Sequence, residues 1–229
     1  MNWPERHRRL SRGEETGSDH VWSLVLRPLS WLYRGYAASR NAAYDAGLLP
    51  VRTTGVPVVS VGSLTAGGTG KTPLLAMLGN HLHAAGWHPL LVVRGYRAPA
   101  GSRRARLVSD GGSAAAARGA ADAAAAQACR NNLGRSYQDA GDEAVLLSRL
   151  APHCAVAVAR RREEALDAAR AEGVAPDVLL LDGAFQHRRL ARSLDIISLD
   201  ASRHPGAARL LPWGDFREPW SSLRRAQEI

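Results

Sequence analysis

The sequence predicts an α/β fold, a parallel sheet flanked by helices, preceded by an N-terminal amphipathic helix. Three observations point there. Short, uninterrupted apolar runs recur along the chain, and segments with leucines at helical spacing alternate with them. One of those runs ends in a glycine-rich turn that leads directly into such a segment. Strands buried on both faces read as continuous apolar runs, and strands alternating with helices form parallel sheets.

Residues 1–18 are polar and charged. HVWSLVLRPLSWLYRGYAASRNAAY, residues 20–44, then places Trp22, Leu26, Leu29, Leu32, Tyr33 and Tyr36 at near-helical spacing. Pro28 is expected to kink or restart this helix, because it lacks the N–H that a helix interior uses. Arg27, Arg34 and Arg40 interrupt the apolar positions. That mixture suits a helix lying in a membrane interface, and it equally suits one packed on the domain. Residues 1–50 are read as this membrane-associating segment, and 51–229 as the domain that carries the chemistry.

The strands follow in order: VPVVSVG (56–62), HPLLVVRGY (88–96), CAVAVA (154–159), DVLLLD (177–182) and LDIISLD (194–200). Between them, TPLLAMLGNHLHAAG (72–86) carries Leu75, Leu78 and Leu82 on one helical face. DEAVLLSRLA and RREEALDAARAEG are helical as well. The segment 109–141 has alanine runs broken by Gly, Asn and Ser without an apolar stripe, and is read as a surface insertion.

SLTAGGTGKTP, residues 63–73, departs from the pattern G-x-x-x-x-G-K-[ST] by one residue, since Thr65 stands where the first glycine belongs. Its context, strand, glycine turn and helix, is that of a P-loop NTPase-like fold. Such a loop turns backbone N–H groups towards phosphate oxygens at a helix N-terminus. Residues Thr65, Ala66, Gly67, Gly68, Thr69, Gly70, Lys71 and Thr72 are therefore the expected nucleotide contacts. Lys71 reaches the β- and γ-phosphates, the Thr72 hydroxyl ligates magnesium, and Pro73 suits the first helical turn. Lys71 is the only lysine in the chain; the remaining basic residues are all arginine.

The net charge of +9 would attract phosphates or anionic lipid. No nucleic-acid recognition motif accompanies it, so nucleic acid is not an expected partner. The two cysteines, Cys129 and Cys154, do not make a disulfide framework, which favours a reducing compartment. No stretch approaches the roughly 20 apolar residues of a bilayer span, and no apolar run directly follows the basic start as a secretory signal requires.

A P-loop site also needs an acid at the end of another apolar strand. Asp182, closing VLLLD, is the best match. Asp200 is the rival, and Asp177 precedes its strand, at the wrong end. GDE at 141–143 opens a helix and sets Asp142 and Glu143 beside its positive dipole, although Asp142 also reads as a simple cap. RGY at 94–96 and FQH at 185–187 follow strands at the edge where ligands bind in such sheets.

Five segments in this order resemble the tetraacyldisaccharide 4′-kinase family: VPVVSVGSLTAGGTGKTP, RGY, GDEAVLL, DGAFQH and RLLPWGDFREPWSSLRRA (209–226). In that family the loop also reads T-x-G-G-T-G-K-T, so Thr65 is a shared feature. The last segment serves no general nucleotide purpose and is the most specific. The resemblance implies transfer of the ATP γ-phosphate, with Mg2+, to the 4′-hydroxyl of tetraacyldisaccharide 1-phosphate. That would make lipid IVA, a lipid A precursor, at the cytoplasmic face of the inner membrane. It implies Asp142 as the base, with Lys71 and Asp182 catalytic, Thr72, Glu143 and Asp182 at the metal, and Tyr96, Gln186 and His187 towards the lipid. The family's D-D-G reads D-G-A here, with Gly183 in place of a second carboxylate. The family also continues into a region with a DHH-type histidine, and this sequence ends at RRAQEI without one. The residues leave two other readings open: an inactive nucleotide-binding fragment of that kinase, or a P-loop kinase with a soluble substrate.

Overall fold

The structure, a computed structural model, describes residues 19–95, 105–111, 141–201 and 209–229. The chain forms two compact units. One comprises Met1–Pro50, Gly62–Thr69 and Ile196–Ile229; the other comprises Val51–Val61 and Gly70–Asp195.

A six-stranded sheet lies for the most part in the second unit. Its strands are β1 (Val58–Gly62), β2 (Pro89–Val93), β3 (Arg106–Asp110), β4 (Ala155–Val158), β5 (Val178–Asp182) and β6 (Leu194–Ile197), in the order β3-β4-β2-β5-β1-β6. β1 pairs with β5, β5 with β2 and β2 with β4, all parallel. The expected parallel sheet is present, and it carries one antiparallel strand at its edge, where β3 pairs with β4. β3 also takes in Ser109 and Asp110, the first two residues of the segment read as an insertion. RLVSD is short, and only Leu107 and Val108 are buried, so its apolar signal is too brief to read as a strand.

The helices of this unit are α2 (Lys71–Ala84), α3 (Asp142–Leu150) and α4 (Ala165–Ala171). Consecutive strand residues point to opposite faces and feed two cores. Leu90, Val92, Leu179 and Leu181 pack with Ala165, Leu166 and Ala169 of α4. Leu91, Val93 and Leu180 pack with Leu75 and Ala76 of α2 and with Ala144 and Leu147 of α3. Both faces are thus covered, which is why these strands carry no polar alternation. In this parallel core β2, β4 and β5 all end at one edge, so the residues after them gather there.

In the first unit, α1 (Asp19–Asp45) is a single helix with Pro28 inside it; the expected restart does not occur. The proline removes the N–H that would bond the Leu24 carbonyl. Leu24 is on the exposed side, where solvent can take over that carbonyl. Ser23, Leu26, Ser30 and Ala37 form the buried face, while Leu24, Val25, Leu29, Trp31, Leu32 and Tyr36 are exposed.

Candidate active site

β5 delivers Asp182 to the carboxyl edge of the sheet, where the side chain is buried. Lys71 and Thr72 open α2 directly after Gly70, whose left-handed φ of 73° makes the sharp turn into the helix. The Thr72 hydroxyl donates to Asp182 Oδ2 at 3.2 Å. Of the rival acids, Asp182 is the one that the Thr72 hydroxyl meets. Asp177 is engaged at the far end of β5, where it accepts from the His88 N–H at 2.8 Å. Asp200 lies in the other unit and is exposed.

α3 brings Glu143 against the same carboxylate. Burial first, then the charge of Asp182 and a hydrogen bond to it, push the Glu143 carboxyl up to about 7; Arg162 and Lys71 pull in the opposite direction. Asp142 is the first helical residue of α3 and is exposed; Gly141 is the N-cap, and no side chain caps this helix. The plain capping role considered for Asp142 is therefore not the one it takes.

Arg162, buried at the carboxyl side of β4, is a site residue that the sequence reading missed. Its guanidinium donates to the Asp182 carbonyl at 2.6 Å and to the Gly183 carbonyl at 3.4 Å. Arg192 grips the other half of the same turn, donating to the Ala184 carbonyl at 2.8 Å and the His187 carbonyl at 3.3 Å. Its Nε bonds Asp195 at 2.9 Å. The turn that carries Asp182, Gln186 and His187 is thus held by two guanidinium groups through its own backbone. Burial first, then Arg162, lowers the pKa of His187, which favours a neutral imidazole. Gly183 has φ +57°, and a Cβ there would meet nothing within 4 Å. Tyr96 lies outside the described residues.

Thr65 to Thr69 belong to the first unit, and Gly70 to Thr72 follow them along the chain in the second. Thr65 is buried and bridges antiparallel to Phe216. The Ala66 N–H donates to the Asp215 carbonyl at 2.7 Å, and the Arg217 N–H to the Leu64 carbonyl at 2.6 Å. At the other end the Ser198 hydroxyl bonds the Thr69 carbonyl. Gly67 adopts φ 135°, which side-chain-bearing residues avoid. The segment 209–226, read as serving no general nucleotide purpose, pairs with the start of the loop through Asp215, Phe216 and Arg217.

The donor set of the second unit is a hydroxyl and two carboxyls, all oxygen, with an ammonium on the adjoining residue. Hard oxygen donors suit Mg2+, which characteristically takes one or two carboxylates and completes its shell with phosphate and water. Among the described residues no three His, Cys, Asp or Glu side chains are grouped so as to hold a metal ion.

The sequence profile described as tetraacyldisaccharide-1-P 4′-kinase matches residues 22–229. A tetraacyldisaccharide 4′-kinase of Chlorobium luteolum is 41% identical over 206 residues, covering 89% of this chain and 52% of that one. One from Anaeromyxobacter dehalogenans is 43% identical over 194 residues, covering 85% and 46%. The chain spans about half the length of these curated relatives. Among solved structures, LpxK from Aquifex aeolicus in complex with ATP superposes with a TM-score of 0.71 at 35% identity, covering 87% of this chain and 55% of that one.

Proposed function

The chain belongs to the tetraacyldisaccharide 4′-kinase family, and on that premise we propose that it transfers the γ-phosphoryl group of ATP to the 4′-hydroxyl of tetraacyldisaccharide 1-phosphate, giving lipid IVA. The hydroxyl oxygen attacks the γ-phosphorus in line while the bond to the β-phosphate bridging oxygen breaks and ADP leaves. Asp142 takes the hydroxyl proton. Lys71 sets a compact ammonium against the β- and γ-phosphates. Thr72, Asp182 and Glu143 would hold Mg2+, which would offset charge on the transferring group. Arg162 and Arg192 fix the turn bearing Asp182, and contact with the acceptor is assigned to Gln186, His187 and Tyr96.

The observation that carries this reading is the Thr72–Asp182 hydrogen bond beside a second carboxyl held near 7. A threonine–aspartate pair after a glycine loop is what Mg2+-bound polyphosphate requires. The exposed face of α1 suits a lipid acceptor: Trp31 is 75% and Leu32 72% exposed, on a helix that also carries Arg27, Arg34 and Arg40. Among the described residues no helix is long and apolar enough to cross a membrane. The reading therefore sets the protein peripherally on the cytoplasmic face, where ATP is available.

The test is transfer of labelled γ-phosphate from MgATP to tetraacyldisaccharide 1-phosphate in mixed micelles. We expect a labelled lipid with the unaltered chain, and with Asp142→Ala no label but unchanged MgATP binding. Full transfer by Asp142→Ala would remove it as the base. MgATP binding without transfer by the unaltered chain would leave a nucleotide-binding protein, and turnover of ATP without labelled lipid would point to a soluble acceptor.

A further inference from the structure

The start of the phosphate loop is fixed from outside. Leu64, Thr65 and Ala66 are paired through their backbone to Asp215, Phe216 and Arg217. The partner segment folds back on itself. The Leu211 N–H donates to the Phe216 carbonyl at 2.9 Å, the Gly214 N–H to the Leu210 carbonyl at 2.9 Å, and the Phe216 N–H to the Arg209 carbonyl at 3.1 Å. The fold-back is tight enough that a Cβ on Gly214 would stand 2.1 Å from the Arg209 carbonyl oxygen.

This hairpin is in turn held by α1. The Ser30 hydroxyl donates to the Leu210 carbonyl at 2.8 Å, and the Tyr33 hydroxyl to the Arg217 carbonyl at 3.0 Å. Arg27 lies over the Trp213 ring at 4.7 Å from its centroid, with Arg209 on the same ring at 4.2 Å. Ser30 is 4% exposed and Tyr33 is half-buried. Burial, followed by the nearby Glu218 carboxylate, raises the Tyr33 pKa, so its phenol stays a hydrogen-bond donor. Arg217 is bonded on both sides: its N–H to the loop at Leu64, its carbonyl from Tyr33.

We propose that Ser30 and Tyr33 are positioning residues for nucleotide binding: through the 210–217 hairpin, α1 fixes the backbone of Leu64–Ala66 and so presets the phosphate loop, a role that rests on residues 65–72 being an MgATP site. A glycine-rich loop loses more backbone freedom on ordering than any other sequence, and a ligand that must order it binds more weakly than one that meets it ordered. Both hydroxyls lie towards the hairpin, so they act on the loop independently of lipid contact by the opposite side of α1.

The experiment is calorimetric titration of MgATP into the full chain and into Tyr33→Phe, Ser30→Ala and the double variant. Ser39→Ala is the control, since the Ser39 hydroxyl bonds Tyr36 within the same helix. Each hydroxyl hydrogen bond is worth about 1 kcal/mol net, so the expected rise in Kd is about fivefold for each single variant and more for the pair. Ser39→Ala and the partitioning of all variants into phosphatidylethanolamine–phosphatidylglycerol vesicles should be unchanged. In the transfer assay KM for ATP should rise while KM for the lipid holds. Unchanged Kd in the double variant overturns the proposal, as does an equal loss in Ser39→Ala. No saturable binding by the unaltered chain overturns the MgATP reading, and this proposal with it. Vesicle binding lost in the variants would mean that the hydroxyls serve lipid contact instead.

Discussion

Glu143 shows how a single environment sets both chemistry and stability. Its carboxyl is raised from 4.5 to about 7, burial leading and the Asp182 charge second. In metal-free buffer the folded chain therefore holds this proton more tightly than the unfolded chain. The stabilisation it brings is fully present below about pH 4.5 and is lost as pH rises through about 7. Glu143→Gln stays neutral at every pH. In denaturant melts without metal we expect the variant to be more stable than the parent above pH 7, with the gap closing below pH 5. Adding Mg2+ should narrow the gap at high pH, because a cation favours the charged carboxyl. A gap that widens with Mg2+ would mean that Glu143 does not face the metal. At this scale the sequence is partly legible. Asp182 stands out because an acid closing an apolar run has no core role, and Lys71 because it is the sole lysine. Arg162 does not stand out: in an arginine-rich chain, one buried guanidinium within RRR carries no contrast.

The sheet accounts for how Asp182 arrives at its carboxyl edge. β2 and β5 are central, and their side chains split between two cores. Leu91 is fully buried, against α2 and α3 residues. Leu91→Ala should cost about 2–5 kcal/mol in equilibrium unfolding; a cost under about 1 kcal/mol would mean that this core is not close-packed. Central strands were legible for the same reason that they are stable, since burial on both faces demands uninterrupted apolar residues. β3 was not, because an antiparallel edge strand takes part of its definition from its partner. The hairpin at 210–217 was visible as a distinctive string, but not as the brace of the loop. That brace runs through backbone groups, which any residue supplies.

At the level of the whole molecule, the net charge of +9 and the exposed apolar side of α1 bear on where the protein works. Basic groups near an anionic surface contribute about 1 kcal/mol each, and a buried large apolar side chain about 1.5–3 kcal/mol. Replacing Trp31 and Leu32 by serine should therefore weaken partitioning into phosphatidylglycerol-containing vesicles by at least about tenfold, with MgATP affinity in solution unchanged. Retention of full vesicle binding would exclude this face as the contact. The sequence left interface and packed helix equally open. The structure separates the two stripes: Ser23, Leu26, Ser30 and Ala37 are buried, and Val25, Leu29, Leu32 and Tyr36 are exposed.

The central claim is that Thr72 and the acids Asp182 of β5 and Glu143 of α3 receive the metal of a metal–ATP complex. Titrating ATP into the unaltered chain and into Asp182→Asn, each with and without Mg2+, tests it most directly. The account predicts saturable binding that is strongly promoted by Mg2+ in the parent, with that promotion lost in Asp182→Asn. Equal Mg2+ dependence in the two proteins, or no saturable binding by the parent, would contradict it.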